Sequence, residues 1–512
     1  MLTKVLTASL LGMKTDLVTV ETDLQSGLPA VHMVGLADTT IKEARERIRA
    51  AILNSGYEFP KRRLAINLSP AGMPKEGTHF DLPVAMGILL LKEDREIAAE
   101  GTAYIGELSL DGRVKHVRGA LPLAIGLRER GIRRLVLPAG NLEEVSLLQD
   151  MELFPVDSLQ TCMEFTIGKK EIAPCYGKKP VPGKPCMKED FAEVAGQEAV
   201  KRAIVTAAAG KHGILMVGSP GSGKTMMAQR IPGLMPAMSY EEQVETTKIY
   251  SAAGLLSEEM PFVSARPFRS PHHSISKAAL IGGGRRPRPG ELSLAHNGIL
   301  FLDELGQFDL SAVEMLREPI EAEEVVLNRT WGSVCFPCST MLVAAANPCR
   351  CGYFGDGKHI CTCSRRQLDS YFARFSGPVL DRIDLHVRVF PVPYKDMRKG
   401  SGNLSSLEMR QQVETAALIQ ADRYRKTKIR FNGRLRPEEI RTYCIMTGEA
   451  EAFLLQACER LDLNMRTYYK MIKAARTIAD LGEQEKIDVM HIAEALQYRM
   501  LDPFYRRAEH GK

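Results

Sequence analysis

The sequence predicts an α/β protein of several domains: a parallel-sheet core flanked by helices, a helical C-terminal region, and an α+β domain in front. Three apolar runs predict the core. Residues 213–217 have the pattern of a short buried strand, turn at a glycine-rich stretch and open into a helix from Met226. Residues 299–302 are four apolar residues ending in Asp303 and Glu304, and residues 341–346 end in Asn347. Short unbroken apolar runs of this kind are what strands covered on both faces require.

The turn after the first run is Gly218, Ser219, Pro220, Gly221, Ser222, Gly223, Lys224 and Thr225. Strand, glycine-rich turn and helix in that order form a phosphate-binding P-loop. The glycines let backbone N–H groups converge on phosphate oxygens, and the helix N-terminus adds its positive end. Lys224 is expected to reach the β- and γ-phosphates of ATP, and the Thr225 hydroxyl to ligate Mg2+. Asp303 follows Lys224 by 79 residues and fits the acid that holds the Mg2+ shell. Glu304 would polarise the attacking water. Asn347 has two readings, a side chain that orients that water or senses the γ-phosphate, and a simple strand cap.

The bulk properties set bounds on everything else. With 512 residues, two to four domains are expected. Apolar and charged contents of 45% and 25% describe a soluble globular chain. A net charge of +6 over this length permits a nucleic-acid partner without arguing for one. No run approaches 18 apolar residues, so no membrane span is expected. Residues 1–12 lack the apolar stretch and cleavage site of an export signal. Eleven cysteines, an odd number, then point to reduced thiols or metal ligands in the cytoplasm.

Taken in order, residues 1–167 read as one α+β domain. Strands are expected at 16–22, 30–34, 63–68 and 135–138, helices at 39–53, 82–91 and 121–130, and a hairpin across 101–114 turned at Asp111 and Gly112. Residues 168–189 shift to Lys, Pro and Gly and read as a flexible basic linker. Within it Cys175 and Cys186 are a weak candidate metal pair. The ATPase core is assigned to 190–393, a helical lid to 394–502 and a tail to 503–512. Helices at 408–421, 449–461, 466–481 and 489–500 define the lid.

Two resemblances follow. Residues 74–77 with the helix after them, and residues 106–113, resemble the C-terminal domain of Lon-type proteases, a ribosomal-S5-like fold. The serine of that family falls at His79 and its lysine at about Leu121, so the proteolytic dyad is missing and a role in assembly or binding is implied. The three core strands resemble AAA+ ATPases. Residues 266–276, 282–291, 294–298 and 376–384 narrow the match to the magnesium-chelatase-related branch and the YifB/ComM family. That resemblance implies a homo-hexameric, ATP-driven ring, and for ComM-like members a motor that migrates branched DNA in recombination and natural transformation. It makes Arg382 the arginine finger that reaches the next subunit's γ-phosphate, and Arg466 the second sensor arginine of the lid. A surface salt bridge is the other reading of each arginine. The alternative function is a chelatase-type ATPase that remodels a partner protein, against which the Lon-like front domain argues. An ATP-dependent protease is a third class, which the missing dyad disfavours.

Three loops remain. Residues 282–290 place three arginines between glycines and prolines, and residues 324–336 read as a hairpin with Arg329 and Trp331 at its tip. Both suit contact with branched or single-stranded DNA, and the loop arginines equally suit ATP or a subunit interface. Cys349, Cys351, Cys361 and Cys363 form two tight thiol pairs directly after Asn347. They are candidate ligands for a structural Zn2+, the other reading being four reduced cysteines in a mobile loop. Cys335 and Cys338 are assigned to the core.

Overall fold

The computed structural model describes residues 2–35, 39–93, 101–177, 189–284, 287–329, 332–357, 359–375, 380–392 and 403–499. Its front domain is a seven-stranded mixed sheet. The strands are β1 (Leu2–Leu11), β2 (Lys14–Gln25), β3 (Ala30–Val34), β4 (Arg63–Ser69) and β5 (Thr102–Tyr104). A side ribbon of β6 (Glu107–Leu108) and β7 (Val114–Lys115) precedes β8 (Arg134–Pro138) and β9 (Glu152–Val156). The order is β3-β4-β2-β1-β5-β8-β9. The expected hairpin across 101–114 is shorter than its sequence suggests. Only β6 and β7 pair antiparallel, while β5 joins the main sheet parallel to β1 and β8. The helix Asp81–Leu90 is buried along its whole length, which explains its apolar sequence after Asp81, whose carboxylate is paired with Arg47.

The ATPase core is a five-stranded parallel sheet of β10 (Ile214–Gly218), β11 (Phe268–Arg269), β14 (Ile299–Leu302), β17 (Met341–Ala346) and β18 (Leu385–Val389), in the order β11-β14-β17-β10-β18. Between β11 and β14 lies a two-residue ladder of β12 (Gly282–Gly283) and β13 (Arg288–Pro289), and between β14 and β17 the hairpin of β15 (Glu324–Arg329) and β16 (Gly332–Pro337). The three strands read from sequence are thus adjacent, and all end on one edge. Ligands of open parallel sheets bind at that carboxyl edge.

The front domain packs on the core through the helix Tyr240–Ala253, which is fixed at its start by a capping box of Ser239 and Glu242. Glu144 Oε1 accepts from the Ser251 hydroxyl and from the Leu121 amide, and the Gly119 amide donates to Ser251 O at 3.1 Å. Leu11 and Met13 pack against the cluster that holds Val334 and Phe336 of the hairpin. No described helix is long and apolar enough to cross a membrane.

Four helices, Ser406–Arg423, Gly448–Leu461, Met465–Leu481 and Val489–Gln497, form most of the lid, with a short helix Pro437–Tyr443 between them. They share one apolar cluster with the core sheet. At its centre Asp480 is fully buried and accepts from Arg423 Nη1 (2.8 Å), Arg476 Nε (3.1 Å) and Asn432 Nδ2 (2.7 Å). Removing the carboxylate takes the counter-charge from a fully buried Arg476, left with the Gln484 and Glu485 carbonyls, and from a mostly covered Arg423. Asp480→Ala is therefore expected to destabilise the lid by about 3–5 kcal/mol, read as an earlier urea unfolding transition.

Candidate nucleotide site

The P-loop leaves β10 at Gly218 and enters the helix Lys224–Leu234 through Gly223, whose φ of +88° is open to glycine but strained for other residues. Lys224 is turned inward. Its Nζ donates to the carbonyls of Gly218 (2.7 Å) and Ser219 (2.9 Å), and lies 3.3 Å from Ser222 Oγ and 3.4 Å from Asn347 Oδ1. Burial pushes its pKa down, opposed by Asp303 and Glu304. An ammonium held among carbonyls beside two acids is placed to meet a polyphosphate.

Thr225 Oγ1 donates to Asp303 Oδ2 at 2.7 Å. Adjacent ligands of an octahedral Mg2+ lie about 3 Å apart, so these two oxygens can share one ion. Asp303 Oδ1 accepts the Glu304 amide at 2.9 Å, which fixes its carboxylate. Glu304 sits at φ +52°, a left-handed conformation costly for a residue with a Cβ. Its Oε2 accepts from Gln307 Nε2 at 2.8 Å and lies 4.0 Å from His273 Nδ1. A cleft of about 660 Å³ opens beside it, lined by His273, Glu304, Asn347, Arg350, Arg366 and Arg374 among others. Asn347 is held from behind, because Tyr371 Oη donates to its carbonyl at 2.8 Å. The side-chain amide oxygen is left facing Lys224 Nζ.

The two arginines lie together elsewhere. Arg382 Nη2 is 3.2 Å from Glu321 Oε1, its Nε donates to Arg317 O at 3.3 Å, and Arg466 Nη2 is 2.9 Å from the same Glu321 oxygen. Arg382 precedes β18 by three residues. β18 begins with Leu385 opposite Ile214, at the start of β10, whereas the P-loop begins at Gly218, opposite Val389. The four-residue advance between these ends corresponds to about 13 Å of strand. Arg382 thus enters the sheet at the edge opposite its own phosphate loop.

The four loop cysteines converge, with every pair of sulfurs within 4.8 Å. The Sγ separations are 3.3 Å for Cys349 and Cys351, 3.7 Å for Cys349 and Cys361, and 3.6 Å for Cys351 and Cys361. A tetrahedral Zn–S bond of about 2.3 Å implies S···S separations of about 3.8 Å, so the residues fit zinc. Cys338 is buried, with its thiol donating to Pro319 O at 3.3 Å, but Cys335 is exposed on β16 and corrects the expectation that both belong to the core. Cys175 bridges Leu153 in the front domain, and Cys186 lies outside the described residues.

Of the candidate DNA contacts, Arg285, Arg286 and Trp331 lie outside the described residues, as does the tail from 503. Arg329 donates to Gly284 O at 3.1 Å, which brings the hairpin end and the arginine loop side by side. In the front domain His79 Nε2 lies 2.9 Å from Ala8 O and Leu121 is buried in an apolar cluster, so neither position carries the serine or lysine of the protease dyad. Sequence reasoning assigned no role to Glu321, Asp356, Tyr371 or Arg374. Their contacts, Glu321 with Arg382, Asp356 with Ser219, Tyr371 with Asn347 and Arg374 with Gly306 O, reach residues far along the chain and leave no local pattern.

A parallel sheet with P-loop, acid pair and polar strand end at one edge, together with a helical lid, defines an AAA+ ATPase. Family models agree along the chain. "Magnesium chelatase, subunit ChlI" matches residues 190–397, its C-terminal region 403–499, and "Subunit ChlI of Mg-chelatase" residues 20–141. The chain is 39% identical over 501 residues to the uncharacterized protein YifB of Salmonella typhimurium, covering 97% of this chain and 96% of that one. It is 38% identical over 500 residues to competence protein ComM of Haemophilus influenzae, with 96% of each covered. Lon protease homolog 2 of Zea mays is 27% identical over 161 residues, 28% of this chain and 18% of that one. The chain belongs to the YifB/ComM family of magnesium-chelatase-related ATPases.

Proposed function

We propose that the chain is the subunit of a homo-hexameric ring that couples ATP hydrolysis to movement on branched or single-stranded DNA. One observation carries the ring: Arg382 sits at the sheet edge opposite its own P-loop. A finger there can complete a triphosphate site only on a neighbouring copy, as a head-to-tail interface that closes into a ring provides. Within each subunit Lys224, Thr225, Asp303, Glu304 and Asn347 bind and activate Mg-ATP. Arg382 supplies the charge that the transition state lacks until the next subunit docks. Arg466, the second sensor arginine of the lid in this reading, rests on the same Glu321 carboxylate as Arg382.

DNA as the substrate is supported by the relative named competence protein ComM and by the apposition of Arg329 with the arginine loop. The four thiols hold a structural zinc ion in this reading. Steady-state ATPase rate and ring size, measured with and without forked DNA, test it. Forked DNA is expected to raise the rate or stabilise the ring. If it changes neither, the DNA-motor reading is lost, and stimulation by a partner protein instead would favour a chelatase-type remodeller.

A further inference from the structure

The cysteine loop is built onto the phosphate loop. Ser219 Oγ donates to Asp356 Oδ1 at 2.9 Å, and the other oxygen of Asp356 is 2.6 Å from His359 Nδ1. Gly352, at φ +88°, lies so close to Pro220 that an added Cβ would stand 2.6 Å from its Cδ. On its other side the loop is tied to the core, where Arg388 of β18 donates to the carbonyls of Phe354 and Gly355. Its two ends are also functional. Asn347 lies two residues before Cys349, and Ser364, directly after Cys363, caps the helix Arg365–Phe372. Tyr371 of that helix donates to Asn347 O. The four thiols therefore close a ring of chain whose rim touches Ser219, Pro220 and Asn347.

We infer that a zinc ion on Cys349, Cys351, Cys361 and Cys363 sets the affinity of the P-loop for Mg-ATP, acting through Asp356 and Gly352. This rests on the zinc reading above and adds a coupling between two sites. With the metal bound, residues 352–356 hold Ser219 and Pro220 in place before nucleotide arrives. Without it, these two residues must be ordered when the nucleotide binds. Ordering the backbone of a single residue is worth about a tenfold change in binding, so affinity is expected to fall about tenfold or more. Coupling is reciprocal, so bound nucleotide must also raise the affinity for the metal by the same factor.

The test uses full-length protein purified under reducing conditions. Elemental analysis is expected to give about one zinc per chain. Binding of a fluorescent ATP analogue in excess Mg2+ is then measured before and after a zinc-selective chelator, with about tenfold weaker binding expected after removal. Should the stripped protein unfold, the second arm uses only the holoprotein. In equilibrium competition with a colorimetric chelator, zinc should be held about tenfold more tightly when a non-hydrolysable ATP analogue is bound. Asp356→Ala should keep its zinc but lose most of that gain. Absence of zinc would overturn the metal site and the coupling together. Zinc present, with nucleotide affinity unchanged by its removal and zinc affinity unchanged by nucleotide, would overturn the coupling alone.

Discussion

Glu304→Gln is expected to yield a protein that binds ATP normally and turns it over about a hundredfold to ten-thousandfold more slowly, the range a positioned general base contributes. The substitution keeps the shape of the side chain and its bond from Gln307, since an amide oxygen accepts as a carboxylate oxygen does. It removes only the basic lone pair that faces the cleft. Binding should survive because the proposed phosphate and Mg2+ ligands are Lys224, Thr225 and Asp303, whose side-chain hydrogen bonds do not involve the Glu304 carboxylate. The left-handed backbone at Glu304 supports a chemical role, since a strain of about 1–3 kcal/mol persists only where the surroundings impose it. Single-turnover hydrolysis and equilibrium nucleotide binding, measured on the same preparation, separate the two effects. Retained turnover would move the base elsewhere in the cleft. Asp303→Asn provides the contrast, because it should weaken Mg2+-dependent binding itself.

The parts of this protein visible in its sequence are those whose chemistry is local. A P-loop needs consecutive residues, so Gly218 to Thr225 declare themselves, and β14 and β17 end in polar groups a reader can see. β1 is the strand most easily missed. Leu2–Leu11 lies inside the sheet, between β2 and β5, and Thr7 and Ser9 are buried alongside Val5 and Ala8. Its pattern therefore lacks the apolar–polar alternation that marks a half-exposed strand. β9 is hidden by Pro155, which argues against an inner strand but is tolerated here because β9 is the sheet's edge. β11 is two residues long and carries too little pattern to find. The same limit applies to the site. Asp356 meets Ser219 across 137 residues, and Glu321 joins Arg382 to Arg466, contacts fixed only when sheet, loop and lid have packed. The thiol spacing pointed to a candidate metal site, but not to its position against the phosphate loop.

Arg382→Ala is expected to lower turnover about a thousandfold or more while nucleotide affinity stays near that of the parent, because an arginine finger acts on transition-state charge. The side chain is mostly covered and pinned by Glu321 and the Arg317 carbonyl, so a loss could also come from local misfolding. A mixing experiment distinguishes these. Lys224→Ala and Arg382→Ala subunits are each expected to be inactive alone, the first without its phosphate ligand and the second without its finger. In a ring assembled from equal amounts, about a quarter of head-to-tail interfaces should join an intact P-loop to an intact finger. ATPase activity should therefore return on mixing, in proportion to such interfaces. A finger acting within its own chain cannot be rescued this way, because no subunit in the mixture carries both groups. Nor can a misfolded Arg382→Ala subunit supply a working P-loop. Recovery would thus place the finger across the interface, and its absence in rings shown to have exchanged subunits would remove the composite site.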